Sequence, residues 1–509
     1  VDALEALTTV NRLYARVLGR RPDIEKNSEY YRGEQPLNYA TAEWKKANAE
    51  QYIGFSDNWV APVANAELER IEHIGVKLDE EQYGKAAQEL WQQWQLNEMQ
   101  MQSSQGFLAS LNHSTSFVLV WPSSDHEGEA EITWESARQV EVEYDWFNPR
   151  RRRAAIKTWQ DEKWEYANLY TAEELWKWQR PRLASKTDRA SQAEQGKPEG
   201  ASDGGWVPRE VPRETWPLRN PMGEVPIVPI PNRPLLGEDP ISEIRGAMAM
   251  QDAINLLWAY LFLGADYASM EARVVLGSGP PVVPILDEEG KIVGQQKIDM
   301  QELREKRIAY IPNADAKIDS WPAAQLTPFT EVIEMAIGHI CAQSRTPPSY
   351  LLTRRGMSNV NGEGLKASEI GLVKKTLEFE KVATPHLREI HRLVALAKGD
   401  KKLAQAARLA TMRWANPEIR SEAQLADMLL KKKSIGYPVE YLMELDGMDP
   451  ITINRVLAMI EQERRDLQLE AAMRGLDDAE SSANATQDSA EDLGDDNGGD
   501  IKSLALARP

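Results

Sequence analysis

The groups in this 509-residue chain that could do chemistry are six histidines, one cysteine and several acidic runs. His386 and His391 stand five residues apart, which turns them about 140° from each other on a helix. Neither belongs to an HExxH pair. They read as packed or surface histidines, as do His73, His113, His126 and His339. Asp287, Glu288 and Glu289 could imitate a metal site, but they precede Gly290 between two extended runs and read as a solvated hairpin tip. Cys341 follows Ile337 and Ile340 on an apolar helix face, so a buried structural thiol is expected. No G-x-S-x-G elbow supports a serine nucleophile, and no GxxxxGK[ST] loop cradles a phosphate. No catalytic residue, metal site or cofactor is therefore expected.

Cations are the other candidates. Arg150–Arg153 follow Asn148-Pro149 and lead into a strand. They read as a solvated turn or an intersubunit contact, with phosphate contact as the alternative. Arg354 and Arg355 lie in a polar loop, TPPSYLLTRRGMSNVNGEG (346–364), ahead of Ser358, Asn359 and Asn361. Two guanidiniums among small hydrogen-bonding groups can touch a phosphate backbone without reading bases; a plain surface loop is the other reading. Lys431–Lys433 suit the C-terminal end of a helix.

Composition narrows the classes further. Lys and Arg number 60 against 79 Asp and Glu, a formal charge of −19. That argues against a chain that grips nucleic acid over its whole surface. Residues 475–509 hold nine acids and two bases, which leaves −12 on the rest. A single cysteine excludes a disulfide framework. The longest apolar run, LLWAYLFLGA (256–265), is half of the roughly 20 residues a membrane span needs, so no membrane partner is expected.

The elements that must position these groups follow from periodicity. Residues 4–19 predict a helix, left by a turn at Tyr30-Tyr31-Arg32-Gly33; 58–77 and 83–112 predict two more. Ser116–Trp121, Glu131–Trp134 and Val140–Tyr144 read as strands, and 154–159, 165–170 and 174–179 as a meander. Thirteen of the sixteen tryptophans precede residue 220, as suits a half-buried sheet. Residues 183–205 read as a disordered excursion. NPMGEVPIVPIPNRP (220–234) reads as an extended edge, because five prolines forbid a helix. Two apolar helices, 240–270 and 328–344, flank short extended runs. A long helix from about Leu365 to Leu396 should kink near Val382–Thr384 because of Pro385. Shorter helices at 421–434, 438–446 and 450–473 precede an acidic tail without structure. The sum is a multidomain α+β chain of roughly three or four domains.

Several short motifs recur in this order: Tyr30-Tyr31-Arg32-Gly33 with Pro36-Leu37; Asn58–Val76 with Arg70 and Gly75; Leu90-Trp91, Trp94 and Asn97; and Ser116–Trp121. NPMGEVPIVPIPNR (220–233), Ser242-Glu243-Ile244, Gln251–Asn255, Arg273–Gly277, Thr346-Pro347-Pro348 and Gly362–Glu369 follow. Over about residues 5–470 their order resembles the portal proteins of tailed double-stranded DNA bacteriophages, of the siphovirus type found in phages of actinobacteria. The chain departs from that pattern at Asn112-His113, where a glycine is expected, and in the long insertion 183–205.

The resemblance implies a portal fold. Its wing would be 1–239, its stem the helices 240–271 and 327–345, and its small β-containing clip 272–326. The tunnel loop, 346–364, would carry Arg354, Arg355, Ser358, Asn359 and Asn361 into a central channel. A kinked wing helix, 365–399, a helical crown, 400–473, and a disordered acidic tail, 474–509, would complete it. The resemblance further implies a structural protein without enzyme activity: a ring of twelve copies at one capsid vertex of the virion, assembled in the host cytoplasm and threaded by double-stranded DNA. Its implied partners are the terminase large subunit, a head–tail adaptor, and the major capsid and scaffolding proteins. The alternatives are another structural virion protein, a minor capsid or connector component, and a metal-dependent nuclease built from unpaired acids.

Overall fold

Leu7, Val10, Leu13, Tyr14 and Val17 recur at three- and four-residue spacing, and in the computed structural model they form the buried stripe of helix α1 (Ala3–Arg32). The structure describes residues 2–40, 46, 55–78, 80–182, 205–269, 273–276, 282–286, 291–297, 308–311, 325–351, 362–418 and 422–491. They belong to two compact units, Val1–Ile419 and Arg420–Pro509.

In the first unit, α1 runs through Pro22 and past the expected end at residue 19. Burial of Ile24 and Tyr30 beyond the proline offsets the lost hydrogen bond. The turn begins only at Gly33, whose φ of 74° closes the helix in the left-handed conformation. Helix α2 (Val60–Leu68) is shorter than expected, because His73–Lys77 form strand β1 rather than more helix. The predicted single helix 83–112 is two, α3 (Glu80–Leu96) and α4 (Met99–His113), broken at Glu98 with φ of 53°.

Strands β2 (Thr115–Pro122) and β3 (Ala130–Glu135) form a hairpin. The break at Glu98 serves the outer edge of β3. Gln93 Oε1 accepts from Ala130 N, Asn97 bonds both Ala130 O and Ile132 N, and Gln102 Oε1 accepts from Trp134 N, all within 3.0 Å. Three amides thus satisfy an edge that would otherwise stand unpaired. Gly106 lets α4 lie close to this hairpin, for a Cβ there would overlap the Trp134 indole. That ring is held by its Nε1–H bond to Ser116 Oγ at 2.8 Å and by Phe107 against it. Gly106→Ala should cost about 1–3 kcal/mol in urea unfolding; an unchanged midpoint would show that Trp134 swings aside freely.

The antiparallel meander follows: β4 (Val140–Tyr144), β5 (Arg152–Gln160), β6 (Trp164–Thr171) and β7 (Glu174–Pro181), extended by the short β8 (Val207–Pro208) and β9 (Leu218–Arg219). Residues 183–204, and with them most of the expected excursion, lie outside the described residues. Strand β10 (Ile227–Pro231) pairs with β2 and takes the sheet edge, where Pro229 and Pro231 need no donor on one side.

Helix α5 (Arg245–Ser269) starts five residues later than expected. Among the described residues between it and α6 (Thr327–Ser344) stand four strands: β11 (Arg273–Leu276), β12 (Val282–Leu286), β13 (Ile292–Lys297) and β14 (Ile308–Ile311). The outer two pair in parallel and the inner two as an antiparallel hairpin. The short helix α7 (Pro348–Leu351) precedes α8 (Gly362–Ala397), which holds Pro385 in its interior without interruption. Helix α9 (Lys401–Ala407) and strand β15 (Thr411–Trp414) close the unit. β15 pairs antiparallel with β1, so residues 401–414, expected in the crown, belong to the first unit.

The second unit holds α10 (Glu422–Ser434), α11 (Val439–Leu445) and α12 (Pro450–Glu491). The last continues into the acidic segment expected to lack structure from residue 474.

Candidate functional site

Arg354, Arg355, Ser358, Asn359 and Asn361 lie outside the described residues, as do Asp287, Glu288 and Glu289. What the structure describes is how the ends of segment 352–361 are held. On one side stand α5 and α6. Ile254 and Leu261 of α5 share a buried cluster with Ile333, Ile337, Ile340 and Cys341 of α6, and Leu351 joins it. Burial pushes the Cys341 thiol up, as befits an inert packing group. Gly264 near the end of α5 faces Leu326 just before α6, with 3.2 Å from its ideal Cβ to Leu326 Cδ2.

The polar face of α5 clasps the chain before α2. Gln251 Oε1 accepts from Trp59 N at 2.8 Å, while its Nε2 donates to Asp57 O at 2.6 Å. Asn255 Oδ1, one turn on, accepts from Asp57 N at 3.2 Å. Asp252 Oδ2 accepts from the Tyr30 hydroxyl at 2.8 Å and from Asn38 Nδ2 at 3.1 Å. Burial and that carboxylate raise the Tyr30 phenol well above its ordinary value. The Gln251–Asn255 motif and the Tyr30–Gly33 motif thus meet in space.

Where α6 ends, a buried ionic cluster fixes the chain. Lys375 of α8, only 1% exposed, places Nζ 2.8 Å from Glu243 Oε1, 3.1 Å from Glu67 Oε2 and 3.0 Å from Ser344 O. Arg233 adds a second cation 3.1 Å from Glu243 Oε2. Burial pushes the Glu67 carboxyl up to about 7 against the opposing pull of Lys375. Ser344 Oγ donates to Thr346 Oγ1 at 2.9 Å, which seats the Thr346-Pro347-Pro348 motif.

Arg70 makes the other anchor. Its Nη1 donates to Pro417 O and its Nη2 to the Tyr350 hydroxyl, each at 2.8 Å, and Nη2 lies 3.4 Å from Glu369 Oε2. Tyr350 precedes the segment and Glu369 follows it, so one buried guanidinium ties both ends. Sequence reasoning missed Glu67 and Lys375 altogether. Arg70 and Glu243 figure there only as letters of motifs. A lysine inside the stripe Leu372, Phe379, Ala383 and Leu387 was the available signal.

Two of the histidines and two of the clustered arginines have structural partners. His73 and His391 are fully buried and bonded to each other, Nε2 to Nε2, at 3.2 Å. Arg152 and Arg153 pair with Glu389 and Glu5. Among the described residues no group of three or more His, Cys, Asp or Glu could hold a metal ion. No helix among them is long and apolar enough to cross a membrane.

Comparison with known proteins supplies the wider frame. Residues 11–444 match the family model described as phage portal protein, SPP1 Gp6-like. The portal protein of Mycobacterium phage D29 is 24% identical over 433 residues, covering 82% of this chain and 80% of that one. The portal protein of Mycobacterium phage L5 is 24% identical over 439 residues, with the same shares covered. With the match spanning α1 through α11, the chain belongs to the SPP1 Gp6-like family of phage portal proteins, and is a structural virion protein rather than an enzyme.

Proposed function

We propose that this chain is one subunit of a closed ring, twelve copies in the virion, set at a single capsid vertex. DNA is packaged through its bore and later ejected through it. The observation that carries this reading is the double tether of segment 352–361: Arg70 and the Lys375 cluster pin its two ends beside the paired helices α5 and α6. In this reading α5 and α6 are the stem, β11–β14 lie in the clip, residues 346–364 are the tunnel loop, and 1–239 with α8 form the wing. The helices after residue 420 form the crown.

The charge supports it. At −19 per subunit the ring repels phosphate, so a duplex slides instead of sticking. Arg354, Arg355, Ser358, Asn359 and Asn361 then supply local contacts that ignore sequence. ATP chemistry belongs to a separate motor, the terminase large subunit, which docks on the ring as the head–tail adaptor later does. The major capsid and scaffolding proteins surround it during assembly in the host cytoplasm.

Arg354→Ala combined with Arg355→Ala should leave rings intact in negative-stain images and lower the yield of fully packaged particles. Normal titres of full particles from that double variant would overturn the channel role of the loop.

A further inference from the structure

A cleft of about 990 Å3 opens in the first unit between the turn 148–152, the segment 223–228, α8 and α9. Its cations fall into two sets. Arg152 and Arg392 belong to the wall and are neutralised there: Arg152 Nη2 lies 2.5 Å from Glu389 Oε1, and Arg392 pairs with Glu389 and Glu224. Arg150, Arg151, Lys401 and Arg408 stand exposed around it, with no ion-pair partner among the described residues. Six cations against two carboxylates leave four positive charges facing one concavity, in a chain of net charge −19. Like charges gathered at this density repel one another, so the arrangement favours an anionic occupant.

The shape and the lining select among anions. Its apolar lining takes in Val225, Val228, Leu396 and Ala404 together with two prolines, the Tyr144 ring and the His386 imidazole. A DNA duplex is stiff and convex and reaches only the rim. A single strand draws affinity from stacking successive bases on aromatic faces, and one tyrosine and one histidine ring are a short platform for that. An extended polypeptide with carboxylates at alternate positions and aliphatic side chains between them fits both halves. Its carboxylates meet guanidinium forks in paired hydrogen bonds, and its other face covers the floor.

We propose that this cleft is a docking site for an acidic, aliphatic polypeptide segment of a partner protein. The test uses the full chain and the fluorescence anisotropy of a short labelled peptide alternating Glu and Leu, with a single-stranded oligodeoxynucleotide as competitor class. The peptide should bind the unaltered chain, more weakly as salt rises. Arg150→Glu with Arg151→Glu, and separately Lys401→Glu with Arg408→Glu, should each weaken it about tenfold or more. The two pairs sit on different elements, and the neutral pair Arg150→Gln with Arg151→Gln replaces any reversal that melts early. No binding to the unaltered chain, or equal binding by both reversals, overturns the proposal. So does an oligonucleotide that binds more tightly than the peptide and loses more on the same reversals, which would make the cleft a nucleic-acid site.

Discussion

Lys375→Met destabilises the first unit by about 3–5 kcal/mol, the cost of breaking a buried ion cluster from one side. The methionine fills the volume, so the loss is electrostatic. Glu67 and Glu243, both within 1% of full burial, then face each other with only Arg233 nearby. Glu67 has its lowering partner removed and binds a proton more firmly. Its folded value, already near 7, moves further from the unfolded 4.5. A raised carboxyl binds more protons folded than unfolded between those values, so stability falls as pH rises. The variant is therefore hurt more at pH 8 than at pH 5, and Glu67→Gln added to it recovers part of the loss at pH 8. Guanidinium melts at the two pH values measure this. A single variant within half a kcal/mol of the unaltered chain at both would mean that the cluster contributes nothing.

The same cluster shows where sequence reading stops. Helices α5 and α6 and the meander β5–β7 were legible, because each is written in local periodicity over ten to thirty residues. Periodicity reads β1 as helix and gives no signal for β15. Their pairing sets His73 opposite Trp414, and neither four- or five-residue strand carries a pattern alone. The break at Glu98 was hidden for a related reason: it exists to aim Asn97 and Gln102 at the edge of β3, a tertiary demand. Proline had two outcomes. At β10 it marked an edge, as expected. Pro22 did not end α1, because burial further along the helix outweighs one lost hydrogen bond.

Composition and motif order single out 346–364, and the channel role proposed for it rests on the family. Its mechanical setting was not legible, since Glu67, Glu243 and Lys375 are ordinary letters until residues 308 positions apart come together. Charge runs misled in the opposite direction. Arg150–Arg153 looked like one cluster, yet two of its members are spent on Glu389 and Glu5 and two stand free of ion pairs among the described residues. Spacing in sequence cannot separate the two kinds; a partner on α8 or α1 does.

Acid should destabilise the first unit through its histidines. His73 Nδ1–H donates to Arg413 O at 3.0 Å, which leaves Nε2 as an acceptor, so His391 Nε2–H is the donor across the 3.2 Å contact. The pair has no place for another proton. Trp91, Trp94 and Trp414 crowd His73 at 5.1–5.5 Å between ring centres. Burial lowers His73 to about 4 and, with its neighbour's help, His391 well below its usual value. Burial likewise holds His113 and His386 at about 4. Each binds fewer protons folded than unfolded below pH 6.5, so stability is lost as pH falls from 6.5 towards 4. For His73 alone that is about 3 kcal/mol. Glu67 at about 7 and Glu380 at about 8, both raised by burial, act with the opposite sign down to 4.5. Four histidines outnumber two carboxyls, so the net effect is a loss of stability that steepens as pH falls below 6.5. Stability therefore peaks near pH 6.5. His391→Gln keeps a donor for His73 and removes one titration, so the acid limb of melting temperature against pH should become shallower. An identical limb in the variant would show that the histidine pair does not govern acid unfolding.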